Sequence, residues 1–452
     1  MNSYQNLFRY CLYPLYESVI RQRKTISYLK EYQRSQFLSP DALRVLQWNK
    51  LQQLLSYASE NIPYYKKKWS SLGIRINDIR SMEDYGKLPV LTKDEIRKNY
   101  NDLISEEHRS TLIHKTTGGS SGQPLKFAIT RESYERRMAV KYRGYSWVGA
   151  GLGAKTALLW VDPNYATNSN IFHNLKSTLY NRFFNSKVLN SFVMNESNMA
   201  DYSAQLNSYN APILIGYVGP LVELANFIEQ ERIQVYSPTA ILTGAELLYQ
   251  FQREHLEKTF RCPVYNTYGC REVMLIGSEC KFRTGLHMNV DHLVIETLDE
   301  DLKQINNRLG HVAITDLHNY GMPLIRYINE DMAVISGTQC RCGINLPLLN
   351  SIEGRVFDMV YLSDNKKVTG GIFSYIIKDL PYIKQYQVIQ DKIGEFKIKL
   401  ALTGTPPQVK FDELRHKLEH ALGVGTRLNF EIVEQIEVSS SGKHRPIVSN
   451  IK

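Results

Sequence analysis

The 452-residue chain has no stretch able to cross a bilayer. Its best candidate, Ala211 to Val222, is twelve residues long and interrupted by Gly216, Gly219 and Pro220, where a spanning helix needs about 20 apolar residues. The N-terminus lacks the basic segment, apolar run and small-residue cleavage site of a secretory leader, which predicts a cytoplasmic protein. Cysteine is scarce: the six present include no Cys-x-x-Cys pair and read as thiols or metal ligands rather than disulfides. Basic runs are also missing. Lys and Arg total 55 against 45 Asp and Glu, a formal charge of +10, yet the longest purely basic run is Lys66 to Lys68. That dispersal argues against nucleic acid as a partner, while the net charge suits nucleotides, acidic lipid or polyanionic glycans. No internal repeat or low-complexity tract is present.

What is present is enough apolar side chain, 43%, for a soluble protein of two or three domains, since single cores stop growing at roughly 250 to 300 residues. Phe8, Cys11, Leu12, Leu15 and Val19 recur at helical spacing beside Arg9, Arg21, Arg23 and Lys24. The pattern predicts an amphipathic first helix that packs on the core or lies on an anionic membrane face. A second helix is expected over 41 to 58, broken at Asn61-Ile62-Pro63. Leu125 to Thr130 reads as a strand and 131 to 147 as a helix. Short apolar runs at Ala157 to Val161, Ile213 to Tyr217 and Ala240 to Thr243, with a helix at Leu221 to Gln230, predict a layered α/β body. Beyond Gly354-Arg355 the pattern is strand (358 to 362), helix (372 to 380), strands (383 to 390 and 395 to 402), helix (410 to 422) and strand (427 to 435). It describes a compact α+β unit of about a hundred residues.

The stretch Thr116-Thr117-Gly118-Gly119-Ser120-Ser121-Gly122-Gln123-Pro124 concentrates glycine and hydroxyls, which suits either a flexible turn or a loop whose N–H groups hold phosphate. Neither an in-register G-x-G-x-x-G nor a Walker A Gly-Lys-Ser/Thr accompanies it. Four further stretches stand in order behind it: Leu242-Thr243-Gly244-Ala245-Glu246, Tyr265 through Tyr268-Gly269-Cys270-Arg271-Glu272, Ile314 through Arg326-Tyr327 to Asp331, and Ser439 through Gly442-Lys443-His444-Arg445.

With Gly354-Arg355, this order resembles that of adenylate-forming enzymes, and within them the phenylacetate-CoA ligase branch, particularly the capsular-polysaccharide CapK-type proteins. The resemblance implies an α/β large N-terminal domain of the adenylate-forming type (1–353, including a helical segment 1–60). A small, mobile α+β C-terminal domain (354–452) would carry the catalytic lysine. It implies ATP-dependent activation of a carboxylic acid to an acyl-adenylate and transfer to an acceptor, which could be an amino sugar, a carrier or CoA. Thr116 to Gly122 would hold the β- and γ-phosphates, and Glu272 would help hold Mg²⁺. Tyr268, beside Gly269, offers a face for adenine, with Gly244-Ala245-Glu246 as the opposite wall. Asp331 would accept from the ribose hydroxyls and Arg355 would meet ribose or phosphate. Lys443 would bridge carboxylate and α-phosphate. Three positions depart from the pattern: Gln123 replaces the usual loop lysine, Arg271 stands where threonine is common and would supply the charge that Gln123 lacks, and Phe357 precedes Asp358 at the hinge.

Cys280, His287, Cys340 and Cys342 offer soft ligands for a structural zinc, with His292 as the alternative imidazole and ordinary buried cysteines as the alternative reading. A CoA ligase would use Gly370-Gly371 to line a thiol tunnel. A non-catalytic relative would lack Glu272, Asp331 or Lys443, and all three are present.

Overall fold

A computed structural model describes residues 3–117, 125–160, 171–191, 194–355, 359–363, 367–369, 373, 376–377, 380, 382–402, 408–423, 425–437 and 445–451. The chain opens with α1 (Ser3–Leu7) and two π-helical stretches, Phe8–Leu12 and Leu15–Ile20. Then come α2 (Thr25–Ser35), α3 (Pro40–Asn61), α4 (Pro63–Ser71), α5 (Met82–Tyr85) and α6 (Lys93–Lys98). A hairpin of β1 (Ile113–Thr116) and β2 (Lys126–Ile129) leads into α7 (Arg131–Ser146). Alternation follows: β3 (Thr156–Trp160), α8 (Ile171–Phe183), β4 (Ser186–Asn190), α9 (Glu196–Tyr209), β5 (Ile213–Tyr217), α10 (Val218–Gln230), β6 (Ala240–Gly244), α11 (Gln250–Phe260) and β7 (Val264–Cys270). A run of strands comes next: β8 (Met274–Glu279), β9 (Leu286–Met288), β10 (Leu293–Leu298), β11 (Gln304–Ile305), β12 (Gly310–Asp316), β13 (Tyr327–Ser336) and β14 (Leu348–Arg355). The chain ends with β15 (Met359–Tyr361), β16 (Lys367–Thr369), β17 (Ile383–Lys392), β18 (Glu395–Leu402), α12 (Gln408–Leu422), β19 (Arg427–Val433) and β20 (Ile447–Ser449).

Boundaries follow local chemistry. Ser39 caps α3 by accepting from the Ala42 N–H, with Pro40 in the first turn, and Pro63 ends that helix and starts the next. Strands β3 to β14 join into one 12-stranded sheet in the order β11-β10-β12-β13-β14-β9-β8-β7-β6-β5-β3-β4. Its half from β4 to β6 is parallel and reads as unbroken apolar runs because helices cover both faces. On one face Leu159, Leu214 and Ile241 pack against Leu221 and Leu224 of α10 and Leu256 and Phe260 of α11. On the other, Ile213, Ile215 and Leu242 meet Ala150, Ala154 and Tyr145. A separate core, including Val388, Phe396, Ile398, Leu414 and Leu418, belongs to the four-stranded sheet β19-β18-β17-β20. The architecture is the expected one, a large α/β region followed by a small α+β unit. The boundary expected at 354 falls on the last two residues of β14.

The N-terminal expectation needs correction. Phe8, Cys11, Leu15 and Val19 do not share one buried face: Phe8 is fully buried against Phe183 and Phe184, whereas Cys11, Leu15 and Val19 are exposed. The cause is pitch. In π-helical turns the bond runs from i to i+5, so a stripe drawn at α-helical spacing rotates off its face.

Helix α7 is pinned by buried charge. Arg143 donates to both Asp291 oxygens (2.5 and 2.9 Å), to Asn289 (2.6 Å) and to the Tyr32 carbonyl (3.0 Å), while Ser35 also donates to Asp291. Arg137 donates twice to Asp316 (2.7 and 3.1 Å), which also accepts from Ser133. Burial pushes the Asp291 carboxyl up, but the Arg143 guanidinium outweighs it and holds the group below the usual carboxylate range. Removing one partner of such a pair leaves an uncompensated charge. Asp291→Ala is therefore expected to lower stability by about 3 to 5 kcal/mol at neutral pH in denaturant unfolding. Because the folded pKa is depressed, the stabilisation exists above the unfolded value of about 4 and is lost as pH falls through the folded one. The gap between parent and variant should narrow in acid.

Candidate active site

Strand β7 changes partners midway. Val264 and Asn266 lie in the parallel ladder with β6, and Thr267 to Cys270 pair antiparallel with β8. The switch places Tyr268, Gly269 and the following Arg271-Glu272 at the carboxyl ends of the parallel strands, where Trp160, Tyr217 and Gly244 also end. Such strand ends are the usual ligand crevice of open α/β sheets. The Trp160 and Tyr217 rings lie 4.0 Å apart between centroids. Two glycines permit the close approach of chains here. A Cβ on Gly269 would fall 1.8 Å from the Met274 carbonyl oxygen, and one on Gly244 2.8 Å from the Thr267 hydroxyl. Ala245 turns out of β6 in the left-handed region at φ 67°, a conformation unfavourable for a residue with a Cβ.

Three polar side chains converge on the end of β13. Tyr268 donates to Asp331 Oδ2 at 2.8 Å, and Asn329 Nδ2 donates to the same oxygen (2.7 Å) and to the Tyr268 hydroxyl oxygen (2.9 Å). Burial, then the Asp331 charge, raises the Tyr268 pKa far above that of free tyrosine, so the hydroxyl stays a donor. Glu272 is buried and accepts from Tyr327 at 2.7 Å. Burial, and then the Glu272 and Asp331 charges, push the Cys270 thiol well above its ordinary value. Asp331 and the Arg355 backbone are directly opposed in the β13–β14 ladder.

Arg271 is exposed and lies within electrostatic reach of two elements. Burial, followed by the Glu246 charge, pushes the Tyr217 hydroxyl up to about 12, with Arg271 opposing. Burial, then the Arg137 and Arg271 charges, lowers Lys115 of β1 to about 8. At the neck of the β1–β2 hairpin Thr117 bonds Leu125 through backbone N–H and carbonyl (2.9 Å), and its hydroxyl accepts from the Leu125 N–H (2.9 Å). Thr116 is exposed beside it. Gly118, Gly119, Ser120, Ser121, Gly122, Gln123, Phe357, Asp358, Gly370, Gly371 and Lys443 lie outside the described residues, as does the Arg355 side chain.

Glu246 differs from the expected wall of an adenine slot in one respect. Its Oε2 accepts from the Gly219 N–H at 2.6 Å, in the first turn of α10, where a carboxylate meets the positive helix end. Sequence reading missed Asn329, Tyr327 and Lys115. None stands in a motif of its own; Asn329 and Tyr327 lie inside the Ile314 to Asp331 stretch, but only strand pairing shows that they touch Tyr268 and Glu272.

Away from this crevice, Cys280, His287, Cys340 and Cys342 present ligand atoms within 4.8 Å of one another. Cys280 Sγ is 3.6 Å from Cys340 Sγ, and Cys342 Sγ is 3.3 Å from His287 Nε2. His287 Nδ1 sits 3.0 Å from the Leu346 carbonyl, which fixes the tautomer with Nε2 aimed at the thiols. His292 lies elsewhere, with Nδ1 3.0 Å from the Tyr32 hydroxyl and its ring stacked on His318.

Known proteins resemble this chain along most of its length. Residues 360–450 match the family described as CapK C-terminal domain. The chain is 25% identical to Protein CapK of Staphylococcus aureus across 96% of its length and 94% of that protein. It is 24% identical to a phenylacetate-coenzyme A ligase of Aromatoleum evansii, over 91% of this chain and 95% of the relative. A solved 2-hydroxyisobutyryl-CoA ligase, in complex with 2-HIB-AMP in its postadenylation state, superposes with a TM-score of 0.74 at 17% identity, over 91% of this chain and 90% of that one. The resemblance read from the sequence holds along nearly the whole chain, and the fold is that of the adenylate-forming ligases.

Proposed function

We propose that this protein is an adenylate-forming ligase that uses ATP to activate a carboxylic acid and passes the acyl group on. The observation that carries this is the hydrogen-bonded set of Tyr268, Asn329 and Asp331 at the switch of β7, with Arg271 and the buried Glu272 following directly after that strand. In the first step a carboxylate oxygen attacks the α-phosphorus, the bond to the β-phosphate oxygen breaks, and pyrophosphate leaves. Two anions must be brought together, so cationic and N–H donors have to dominate.

The loop from Thr116 to Gly122 holds the β- and γ-phosphates, and Arg271 with Lys115 supplies the charge that Gln123 lacks. Glu272, oriented by Tyr327, is the carboxylate for Mg²⁺, which screens phosphate charge when bound. Asp331, its Oδ2 held by Tyr268 and Asn329, takes the ribose hydroxyls. Tyr268 and the Gly244-Ala245-Glu246 turn flank adenine. Residues 354–452 act as the mobile domain, with Arg355 at the hinge and Lys443 brought to the carboxylate for adenylation and withdrawn for transfer. The similarity to Protein CapK supports a role in capsule or surface-glycan synthesis, with an amino sugar or its carrier as acceptor. The second reading, CoA as acceptor, is favoured by the similarity to phenylacetate-CoA ligases.

The three thiols and one imidazole fit a closed structural zinc site, and the Leu346 carbonyl supplies the outer contact such a histidine needs. No described helix is long and apolar enough to cross a membrane. Exposed Tyr10, Leu15, Val19 and Ile20 beside Arg21 support peripheral contact with an anionic membrane from the cytoplasmic side.

Three outcomes are expected. Acid-dependent ATP–pyrophosphate exchange, screened over aryl, aliphatic and amino acids, should fall about 10²- to 10³-fold in Lys443→Ala. Transfer from preformed acyl-adenylate should be largely spared; equal loss in both steps would make Lys443 structural. Asp331→Ala should weaken ATP binding by about 1 to 3 kcal/mol in calorimetry, because it leaves polar partners unpaired. Purified protein should contain about one zinc per chain, and Cys342→Ser should lower both metal content and melting temperature. Metal-free protein that melts like the parent would remove the zinc.

A further inference from the structure

Next to the Arg137 ion pair, α7 carries Tyr134, Met138, Lys141 and Tyr145, all half-buried and at helical spacing. At one end of this stripe Lys115 stands 4.9 Å from the Tyr134 ring centroid. At the other, Tyr145 packs on Ile213, Leu242 and Tyr265 of the strands that end at the crevice. The stripe therefore runs from the glycine-loop hairpin to the strands whose ends form the crevice.

Lys141 sits in the middle, 5.4 Å from the Tyr145 ring centroid. The arginines of the same helix are each paired with a carboxylate: Arg131 with Glu135, Arg136 with Glu31 and Glu132, Arg137 with Asp316, Arg143 with Asp291. Lys141 has no carboxylate and no hydrogen-bond acceptor among the described residues. Enclosing an ammonium without a counter-ion is costly, and a half-buried lysine on a surface would ordinarily extend its head into water.

We propose that Lys141 reads a second anionic group on the substrate, remote from the carboxyl that is activated, so that the acid is a dicarboxylate or an acid with an equivalent anionic substituent. This rests on the adenylation reading, and it narrows the acid rather than the acceptor. Tyr145 and Met138 supply apolar walls for the stem between the two charges, and Lys141 closes the far end. Burial lowers the Lys141 pKa, and an anion placed against the ammonium raises it again.

The test is equilibrium binding, in the presence of a non-hydrolysable ATP analogue, of two matched pairs: glutarate against its monoamide, and 4-carboxyphenylacetate against phenylacetate. Parent protein, Lys141→Met and Lys141→Arg are compared. Parent should favour the dianion of at least one pair by about 10²-fold, because a site built for a charged group rejects the analogue lacking it. Lys141→Met should erase that preference while keeping affinity for the monoanion, and Lys141→Arg should retain it. A parent that does not distinguish the members of either pair, or a Met variant with unchanged preference, overturns the inference. Pyrophosphate release with the same acids separates the two readings. Lys141-dependent binding without release counts against adenylation alone, and release from neutral-tailed acids that is indifferent to Lys141 counts against this inference alone.

Discussion

Burying a guanidinium is tolerable only when carboxylate oxygens and hydrogen bonds replace its water, and the large region of this protein is built around two such replacements on one helix. Arg143 with Asp291 and Arg137 with Asp316 tie α7 to the turn before β10 and to the end of β12, all essentially without solvent. Each pair contributes little net stability against an apolar alternative, but each fixes where a charge must sit and so fixes rotation and register. Gly144 tightens the arrangement: a Cβ there would lie 2.8 Å from Leu275 on β8. Once the rotation of α7 is fixed, the positions of Tyr134, Lys141 and Tyr145 along it are fixed too.

The second constraint is the shared strand. Because β7 leaves the parallel ladder and enters an antiparallel one, its last residues, Thr267 to Cys270, lie beyond the last parallel pairing with β6. Glycine at 269 lets β7 and β8 approach more closely than any Cβ allows, and the left-handed Ala245 swings Glu246 onto the N-terminus of α10. The left-handed Ala245 and the close approach at Gly269 both fall where the parallel strands end, a place where strain can serve a ligand.

Much of this was legible beforehand, and the exceptions have physical causes. Alternation in Glu395 to Leu402 and the stripe of Leu414, Leu418 and Leu422 located β18 and α12 almost to the residue, because one-sided burial imposes those periods locally. The order of motifs pointed to the fold. The first helix was misread because a π-helical pitch does not follow the α period. Tyr327, Asn329 and Lys141 escaped because their meaning lies in partners tens to hundreds of residues away, or in the lack of one. Short strands such as β16 and β20 were also missed, since three residues give no measurable period.

The central claim is that an oxygen of the acid becomes bonded to the α-phosphorus of ATP. It is tested most directly by supplying a carboxylic acid labelled with ¹⁸O in its carboxyl group, together with ATP and an acceptor, and analysing the nucleotide product by mass spectrometry. The account predicts one ¹⁸O atom in the phosphate of AMP and none in pyrophosphate. Label in inorganic phosphate with ADP as the nucleotide product, or AMP formed without label, would contradict it.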